Sequence, residues 1–190
     1  SLFVPKGSDI VSAKGRGFPG ILYRSRVDPI VDTSTTKVAV LVNSNTASAA
    51  EIVSGAIQDL DVGVIVGSDR TFGKGLVQNV EELPYNTALK FTVAKYYTPS
   101  GRCIQGIKYE TTDIDAKFVA KKIEEKDRGI FYTRLGRTVR DGGGIEADYK
   151  IAPQRASPLE VTLMRSGALS EFAAEWSKKH ELTNNFAVDE

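Results

Sequence analysis

The sequence is poor in residues on which many enzymes and small folds depend. Its 190 residues include a single cysteine, Cys103, and a single histidine, His180. One cysteine excludes an internal disulfide and a cysteine-based zinc site. The histidine follows two lysines near the end of the chain, in a polar stretch. A serine hydrolase of the serine–histidine type is therefore not expected.

The chain also lacks an excess of charge and a long apolar run. It carries 25 lysines and arginines against 24 aspartates and glutamates, a formal net charge of +1. Balanced charge gives no reason to expect a nucleic acid or an anionic membrane as partner. A membrane-spanning helix needs about 18 consecutive apolar residues, and no stretch of this chain approaches that length. Residues 1–6 lack the layout of a signal peptide. With 41% hydrophobic residues, the chain can bury a core.

Apolar patterning predicts an α/β core. Residues 37–42 form a continuous apolar run, which is typical of a parallel strand covered on both faces, and residues 62–67 form a second run. Between them, apolar residues recur with helical spacing and predict one stripe that packs on the sheet: Ala49, Ile52, Val53, Ala56, Ile57 and Leu60. Ser48 then falls at a strand-to-helix turn, where α/β folds place their sites.

The rest of the chain predicts strands first and helices last. Residues 76–83 and 87–98 predict a β-hairpin, and residues 9–13 and 21–26 predict shorter strands. Residues 113–126 have i,i+4 apolar pairs typical of a helix, although their charges are also typical of a mobile insertion.

The end of the chain predicts two helices. Ser157 is placed to cap the first, and Gly167 to divide the first from the second. The predicted buried face of the second helix consists of four residues: Leu169, Phe172, Ala173 and Trp176.

The sequence supports two interpretations of Ser48. Ser48 and Glu51 fit a capping box, in which the serine only caps the helix, and spacing alone favours this reading. However, the alanines around Ser48 leave its hydroxyl open, and a helix N-terminus offers amides and a positive dipole to an oxyanion. A nucleophile would be well placed there.

The glycine-flanked Lys74 also has two readings. A nucleotide-binding loop of the Walker A type is disfavoured, because five residues instead of four precede the Gly-Lys pair and Gly75 replaces the hydroxyl residue. A plain surface turn is one reading. The other interpretation follows from the apolar neighbours Phe72, Leu76 and Val77, which predict that the ammonium group is drawn into apolar surroundings. Such surroundings favour the neutral amine, the form that a general base needs.

Two further polar residues are candidates for a third role beside a lysine base. The side-chain amide of Gln78 could hydrogen-bond the lysine amine and orient it, although an ordinary polar strand residue explains Gln78 as well. The carboxylate of Asp59 could pair with a lysine, although a solvated helix end explains Asp59 as well.

Four motifs in order resemble the protease domain of the carboxyl-terminal processing peptidases, or tail-specific proteases, of the S41 type. Residues 46–52 resemble the nucleophile segment S-A-S-A-S-E-I, with its middle serine kept as Ser48. Residues 71–78 match the lysine loop T-F-G-K-G-x-V-Q in full. Residues 92–102 match the strand and turn that follow, and residues 144–148 resemble G-I-x-P-D. The resemblance runs from about residue 2 to residue 151.

The resemblance implies roles for named residues. Ser48 is the expected nucleophile, Lys74 the general base and Gln78 the residue that orients the lysine. The amide of Ala49 is an expected oxyanion donor, and Asp59 ranks below Gln78 as a third member. The implied fold is an α/β protease core similar to crotonase and ClpP, over residues 1–152, with a β-rich extension and a helical region over residues 153–190.

The resemblance also implies a function and a setting. Expected substrates are the C-terminal regions of proteins, which are cleaved through an acyl-enzyme without a metal or organic cofactor. The family's second oxyanion loop and its PDZ module lie upstream and are not among these residues. Relatives work in the bacterial periplasm or envelope or in the thylakoid lumen. The alternatives are a catalytically silent S41-like domain that binds peptides or apolar ligands and, more remotely, an acyl-CoA enzyme.

Overall fold

The structure is a computed structural model, and it describes residues 2–111, 118–152 and 157–180. The chain divides into two compact units, Ser1–Ala152 and Pro153–Glu190. Of these, the first unit contains the sheets and the second contains two helices.

The elements of the first unit, in chain order, are β1 (Asp9–Gly15), β2 (Phe18–Arg24), β3 (Ala39–Val42), α1 (Ala49–Asp59), β4 (Val64–Gly67), β5 (Leu76–Leu83), β6 (Thr87–Tyr97), β7 (Ile107–Thr111), β8 (Phe118–Lys122), a 3-10 helix (Glu125–Asp127), β9 (Ile130–Tyr132), β10 (Thr138–Arg140) and β11 (Tyr149–Lys150). The second unit contains α2 (Pro158–Ser166) and α3 (Ala168–Lys179).

The α/β prediction is confirmed. Strands β11, β4 and β3 form a parallel sheet in that order, as the apolar runs predict. Strands β2, β1, β6 and β5 form an antiparallel sheet. The predicted hairpin joins β5 to β6 through a turn in which Tyr85 and Asn86 both have positive φ, 63° and 54°. Positive φ at two successive turn residues matches the right-handed twist of the paired strands.

The core lies where α1 packs on the parallel sheet. Val42, Ile57 and Ile65 are buried there together with Ile104 and Ile145, which come from later in the chain. Because β3 and β4 are parallel, their C-terminal ends lie at the same edge of the sheet. At this edge β3 leads into α1 and β4 leads into the lysine loop.

Two predictions about burial are wrong. Strand β3 is not covered on both faces: Leu41 is 77% exposed, and β3 lies at the edge of its sheet in the described part of the chain. The predicted apolar stripe of α1 is only partly buried, with Val53 51% exposed. Instead α1 buries a polar face with Glu51 and Gln58, which is possible because these side chains find hydrogen-bond partners.

The predicted helix over residues 113–126 is wrong where it is described. Phe118–Lys122 is strand β8, which pairs with β7, and Glu125–Asp127 is a 3-10 helix. Residues 113–117 lie outside the described part of the chain. Pairing with a neighbouring strand outweighed the local i,i+4 pattern, because residue propensity is a weak preference that tertiary contacts override.

In the second unit the predicted boundaries are confirmed and the predicted packing is wrong. Ser157 caps α2, with the Glu160 amide donating to its Oγ at 3.2 Å, and Gly167 (φ 77°) separates α2 from α3. The predicted buried face of α3 is exposed instead: Leu169 is 50% and Phe172 67% accessible. Among the described helices, none has the length and apolar content needed to cross a membrane.

Acid should destabilise the first unit through Asp61, just after α1. Burial raises the pKa of Asp61, but hydrogen bonds from Arg137 Nε (2.7 Å) and the Leu135 amide (2.6 Å) outweigh burial and hold this pKa below its ordinary 3.8. A lowered pKa stabilises the fold above the ordinary value, and this stability is lost as pH falls through the folded-state pKa.

We therefore expect the free energy of unfolding, from urea titrations between pH 3 and pH 7, to fall as the pH drops below about 4. Asp61→Asn should be less stable at pH 7 and show a shallower pH slope. An unchanged slope in Asp61→Asn would assign the acid sensitivity to other carboxylates.

Candidate active site

Ser48 lies at the N-terminal end of α1 in an unusual backbone conformation. It has φ 58° and ψ −118°, a region that non-glycine residues rarely occupy. Such conformations cost about 1–3 kcal/mol and occur preferentially at functional sites. A strained turn from a strand into a helix also exposes the nucleophile of α/β-hydrolases. The conformation therefore supports the nucleophile reading of Ser48.

The hydroxyl of Ser48 is not used to cap the helix. Ser48 and Glu51 have the arrangement of a capping box, but the Glu51 amide donates to the Ser48 carbonyl oxygen (2.9 Å), and the serine side chain makes no capping hydrogen bond. Ser48 is partly exposed. Its Oγ is thus accessible for a reaction.

Glu51 connects the serine turn to the lysine loop. Its carboxylate is completely buried and accepts hydrogen bonds from four donors. One oxygen, Oε1, accepts from the Thr71 hydroxyl (2.5 Å) and the Gly73 amide (2.6 Å). The other, Oε2, accepts from the amides of Ser48 (2.9 Å) and Lys74 (2.8 Å). Because these two amides share one oxygen, the backbones of Ser48 and Lys74 lie side by side.

The lysine loop makes one further backbone contact with the serine turn. The Phe72 amide donates to the Thr46 carbonyl oxygen at 2.9 Å. On its other side the loop contacts residues 144–145, where the Thr71 hydroxyl accepts from the Ile145 amide at 2.7 Å. The lysine loop is therefore held between the start of α1 and the segment that resembles G-I-x-P-D.

The side chain of Lys74 does not have the surroundings that the sequence predicts. Lys74 is exposed, and its apolar neighbour Phe72 is 60% exposed. The prediction of an ammonium group drawn into apolar surroundings is wrong for this chain. The glycines of the loop pack closely against residues 104–106.

Gln78 and Ala49 lie close to the two central residues in sequence. Gln78 is exposed in β5, at a bulge in the pairing with β6, and its side chain makes no hydrogen bond to Lys74 within the described structure. Bulges redirect side chains near active sites. Ala49 is the exposed first residue of α1, so its amide has no partner within the helix.

Asp59 pairs with an arginine and not with the lysine. Its side chain is fully buried, and Oδ1 lies 2.7 Å from Nη2 of Arg102, itself 1% exposed. The amide of Ser100 donates to the other oxygen at 3.0 Å. The reading of Asp59 as part of a solvated helix end is wrong.

Sequence reasoning missed two residues that position the lysine loop. Glu51 was placed only in a capping box, although an acidic residue among the apolar positions of α1 is a signal of a buried hydrogen-bonded role. The buried Gln105, whose Oε1 accepts from the Gly75 amide at 2.8 Å, carries no local signal in the sequence.

Comparison with known proteins identifies the family of the chain. The family model for peptidase family S41 matches residues 1–115, which include the serine turn, α1 and the lysine loop. The chain belongs to peptidase family S41. The S41 chain is also 41% identical over 132 residues to a carboxy-terminal-processing protease of Bartonella bacilliformis, covering 69% of this chain. A probable CtpA-like serine protease of Staphylococcus aureus is 28% identical over 207 residues, covering 95% of this chain.

A solved processing protease has a similar fold. The photosystem II D1 C-terminal processing protease superposes on 80% of the chain, with a TM-score of 0.56 and 28% sequence identity. The chain spans 29% of that protein's length, 29% of the Bartonella relative and 41% of the Staphylococcus relative.

Glu51→Gln is expected to destabilise the protein. The amide nitrogen of glutamine would face two hydrogen-bond donors in place of an acceptor oxygen, and those donors stay buried. We expect the free energy of unfolding to fall by about 3 kcal/mol, measured by urea titration. Glu82→Gln, at an exposed position of β5, is the control and should change stability by less than about 0.5 kcal/mol. Equal stability of the two variants would contradict the connecting role of Glu51.

Proposed function

We propose that the protein to which this chain belongs is a serine endopeptidase that cleaves other proteins near their C-termini. Ser48 is the nucleophile and Lys74 the general base. The observation that carries the proposal is the Glu51 carboxylate, one oxygen of which binds the amides of both residues. Membership of family S41 and the backbone strain at Ser48 support the same assignment.

The proposed reaction has two steps. In the first, the neutral amine of Lys74 takes the proton of the Ser48 hydroxyl while Oγ attacks the peptide carbonyl carbon. Lys74 then gives this proton to the leaving amine, the peptide bond breaks and an ester remains on Ser48. In the second, water attacks the ester with Lys74 again as base, which releases the new carboxylate and restores Ser48.

The developing oxyanion needs hydrogen-bond donors. The amide of Ala49 and the positive end of the α1 dipole are available at the position of Ser48. We assign the second donor to residues of the longer protein, since the relatives extend well beyond the matched region. Losing one such donor costs about 100- to 1,000-fold in turnover, so this segment alone should be a poor enzyme.

We further propose that the remaining part of the protease covers Lys74. A lysine can act as a base only when its neutral form is populated, and exclusion of water favours that form. Gln78, four residues after Lys74, would then orient the amine; it lies beside the register shift in the pairing of β5 with β6, where the extra residue, Val93, belongs to β6. By family resemblance we assign an upstream PDZ module and a place of action in the bacterial envelope or thylakoid lumen.

The test is a map of cleavage sites. The full-length protein is incubated with an unstructured protein that ends in an apolar C-terminal segment, and the products are identified by mass spectrometry. We expect cuts in the C-terminal region and intact N-terminal fragments. Cuts spread evenly along the substrate would contradict the C-terminal preference, and no cuts at any pH would favour the silent, peptide-binding alternative.

A further inference from the structure

Residues 102–106, here named the bridging segment, contact both the helix that begins at Ser48 and the loop that carries Lys74. At one end, Arg102 Nη2 donates to Asp59 and Gln58 near the end of α1, at 2.7 Å each. At the other end, the Gly106 amide donates to the Gly73 carbonyl oxygen of the lysine loop at 2.9 Å. The bridging segment therefore connects the helix that begins at Ser48 with the loop that carries Lys74.

Gln105 is the side chain of the bridging segment that binds the lysine loop. It is 7% exposed, and both ends of its amide are used: Oε1 accepts from the Gly75 amide at 2.8 Å, and Nε2 donates to the Ile107 carbonyl oxygen at 3.1 Å. With both ends engaged, the orientation of the glutamine amide is fixed.

Lys74 is consequently held by its backbone from both sides. The Glu51 carboxylate binds the amide of Lys74, and Gln105 binds the next amide along the chain, that of Gly75. These two peptide groups flank the Cα of Lys74, so together they fix the direction in which its side chain leaves the backbone. The lysine side chain itself is exposed, so these backbone contacts constrain the direction of its Cα–Cβ bond.

Close packing explains why glycines flank the lysine. A Cβ on Gly75 would lie 2.7 Å from the backbone nitrogen of Gln105, and a Cβ on Gly73 would lie 3.0 Å from the backbone nitrogen of Gly106. Gly73 also has φ +84°, a conformation that favours glycine. The Gly-Lys-Gly sequence thus lets the bridging segment lie directly against the loop.

We propose that the bridging segment sets the position of Lys74 relative to Ser48, with Gln105 as a positioning residue for the general base. This inference rests on the proposed function, in which Lys74 accepts the proton of Ser48. Gln105 acts through the backbone of the lysine loop and does not touch the substrate. Displacing a base by about 1 Å can cost about 100-fold in rate, so a lost backbone contact is sufficient to impair catalysis.

The experiment compares variants of the full-length protein by steady-state cleavage of an apolar C-terminal peptide. Gln105→Leu keeps the size of the side chain and removes the acceptor for the Gly75 amide. We expect kcat to fall about 100-fold with KM unchanged. Gln105→Glu keeps the acceptor for the Gly75 amide but has no donor for the Ile107 carbonyl oxygen, so it should recover part of the lost kcat.

Thr133→Val is the control. Thr133 is a buried polar residue whose hydroxyl accepts from the Arg137 amide at 3.0 Å and makes no hydrogen bond to the lysine loop or the bridging segment in the described structure. We expect Thr133→Val, which keeps the shape of the side chain, to lower the melting temperature while kcat and KM stay at the wild-type values. A fall in kcat in Thr133→Val equal to that in Gln105→Leu would show that lost stability alone explains the effect and would overturn the proposal.

The remaining outcomes also decide the proposal. If Gln105→Leu does not fold, Gln105→Asn takes its place, since it keeps a polar amide that is too short by one methylene to reach the Gly75 nitrogen. A wild-type kcat in a folded Gln105→Leu or Gln105→Asn variant would overturn the positioning role while the proposed function stands. Absence of Ser48-dependent cleavage by the wild-type protein would remove the proposed function and this inference with it.

Discussion

Ser48→Ala is expected to abolish protein cleavage. Without Oγ no acyl-enzyme can form, and loss of the nucleophile in serine proteases lowers turnover on the order of a millionfold. The assay is release of a C-terminal peptide from an unstructured substrate by the full-length protein, followed over hours so that small residual rates are detected. Residual turnover above about a thousandth of wild type would show that another group attacks the substrate.

Two further serine variants separate chemistry from folding. Ser44→Ala removes an exposed hydroxyl from the same turn and should cleave at the wild-type rate. Ser48→Gly should be as inactive as Ser48→Ala and yet more stable, because glycine adopts φ 58° without strain. The expected gain in the free energy of unfolding is about 1 kcal/mol. A less stable Ser48→Gly would indicate that the backbone at Ser48 is not strained.

Those parts of the fold that depend on local pattern could be predicted from the sequence. Two apolar runs predicted β3 and β4 as parallel strands, and a capping motif placed the start of α1 at Ser48. The hairpin β5–β6 follows from two strand-like runs around a short turn. In each case residues close in the chain carry the signal, so spacing is sufficient.

The connections that build the site could not be predicted in the same way. Glu51 binds residues twenty or more positions later in the chain, and Gln105 binds the lysine loop thirty positions earlier. Spacing does not reveal such contacts. The sequence motifs therefore pointed to Ser48 and Lys74 as the proposed catalytic pair. The residues that hold the backbones of this pair together became apparent only in the fold.

Predictions of burial were less successful than predictions of secondary structure, because burial depends on what covers an element. Leu41 continues an apolar run but lies on an edge strand, and Lys74 has apolar neighbours that do not enclose it. Asp59 shows the opposite error: a carboxylate near a helix end is fully buried because Arg102 supplies a partner. Local composition does not specify these partners.

Lys74→Met is expected to lower kcat about 10,000-fold, the upper range for loss of a general base. Methionine is unbranched and of similar length but has no amine to accept the proton of Ser48. We expect this loss in kcat for release of a C-terminal peptide by the full-length protein, at every pH at which the wild type is active.

Lys74→Arg distinguishes a base from a positive charge. Arginine keeps its proton at every usable pH, so it preserves the charge and cannot accept a proton. We expect Lys74→Arg to be as inactive as Lys74→Met, and Lys90→Met, at an exposed position of β6, to be fully active. Substantial activity of Lys74→Arg would mean that the lysine stabilises negative charge in the transition state, and the base would then have to be sought in another residue.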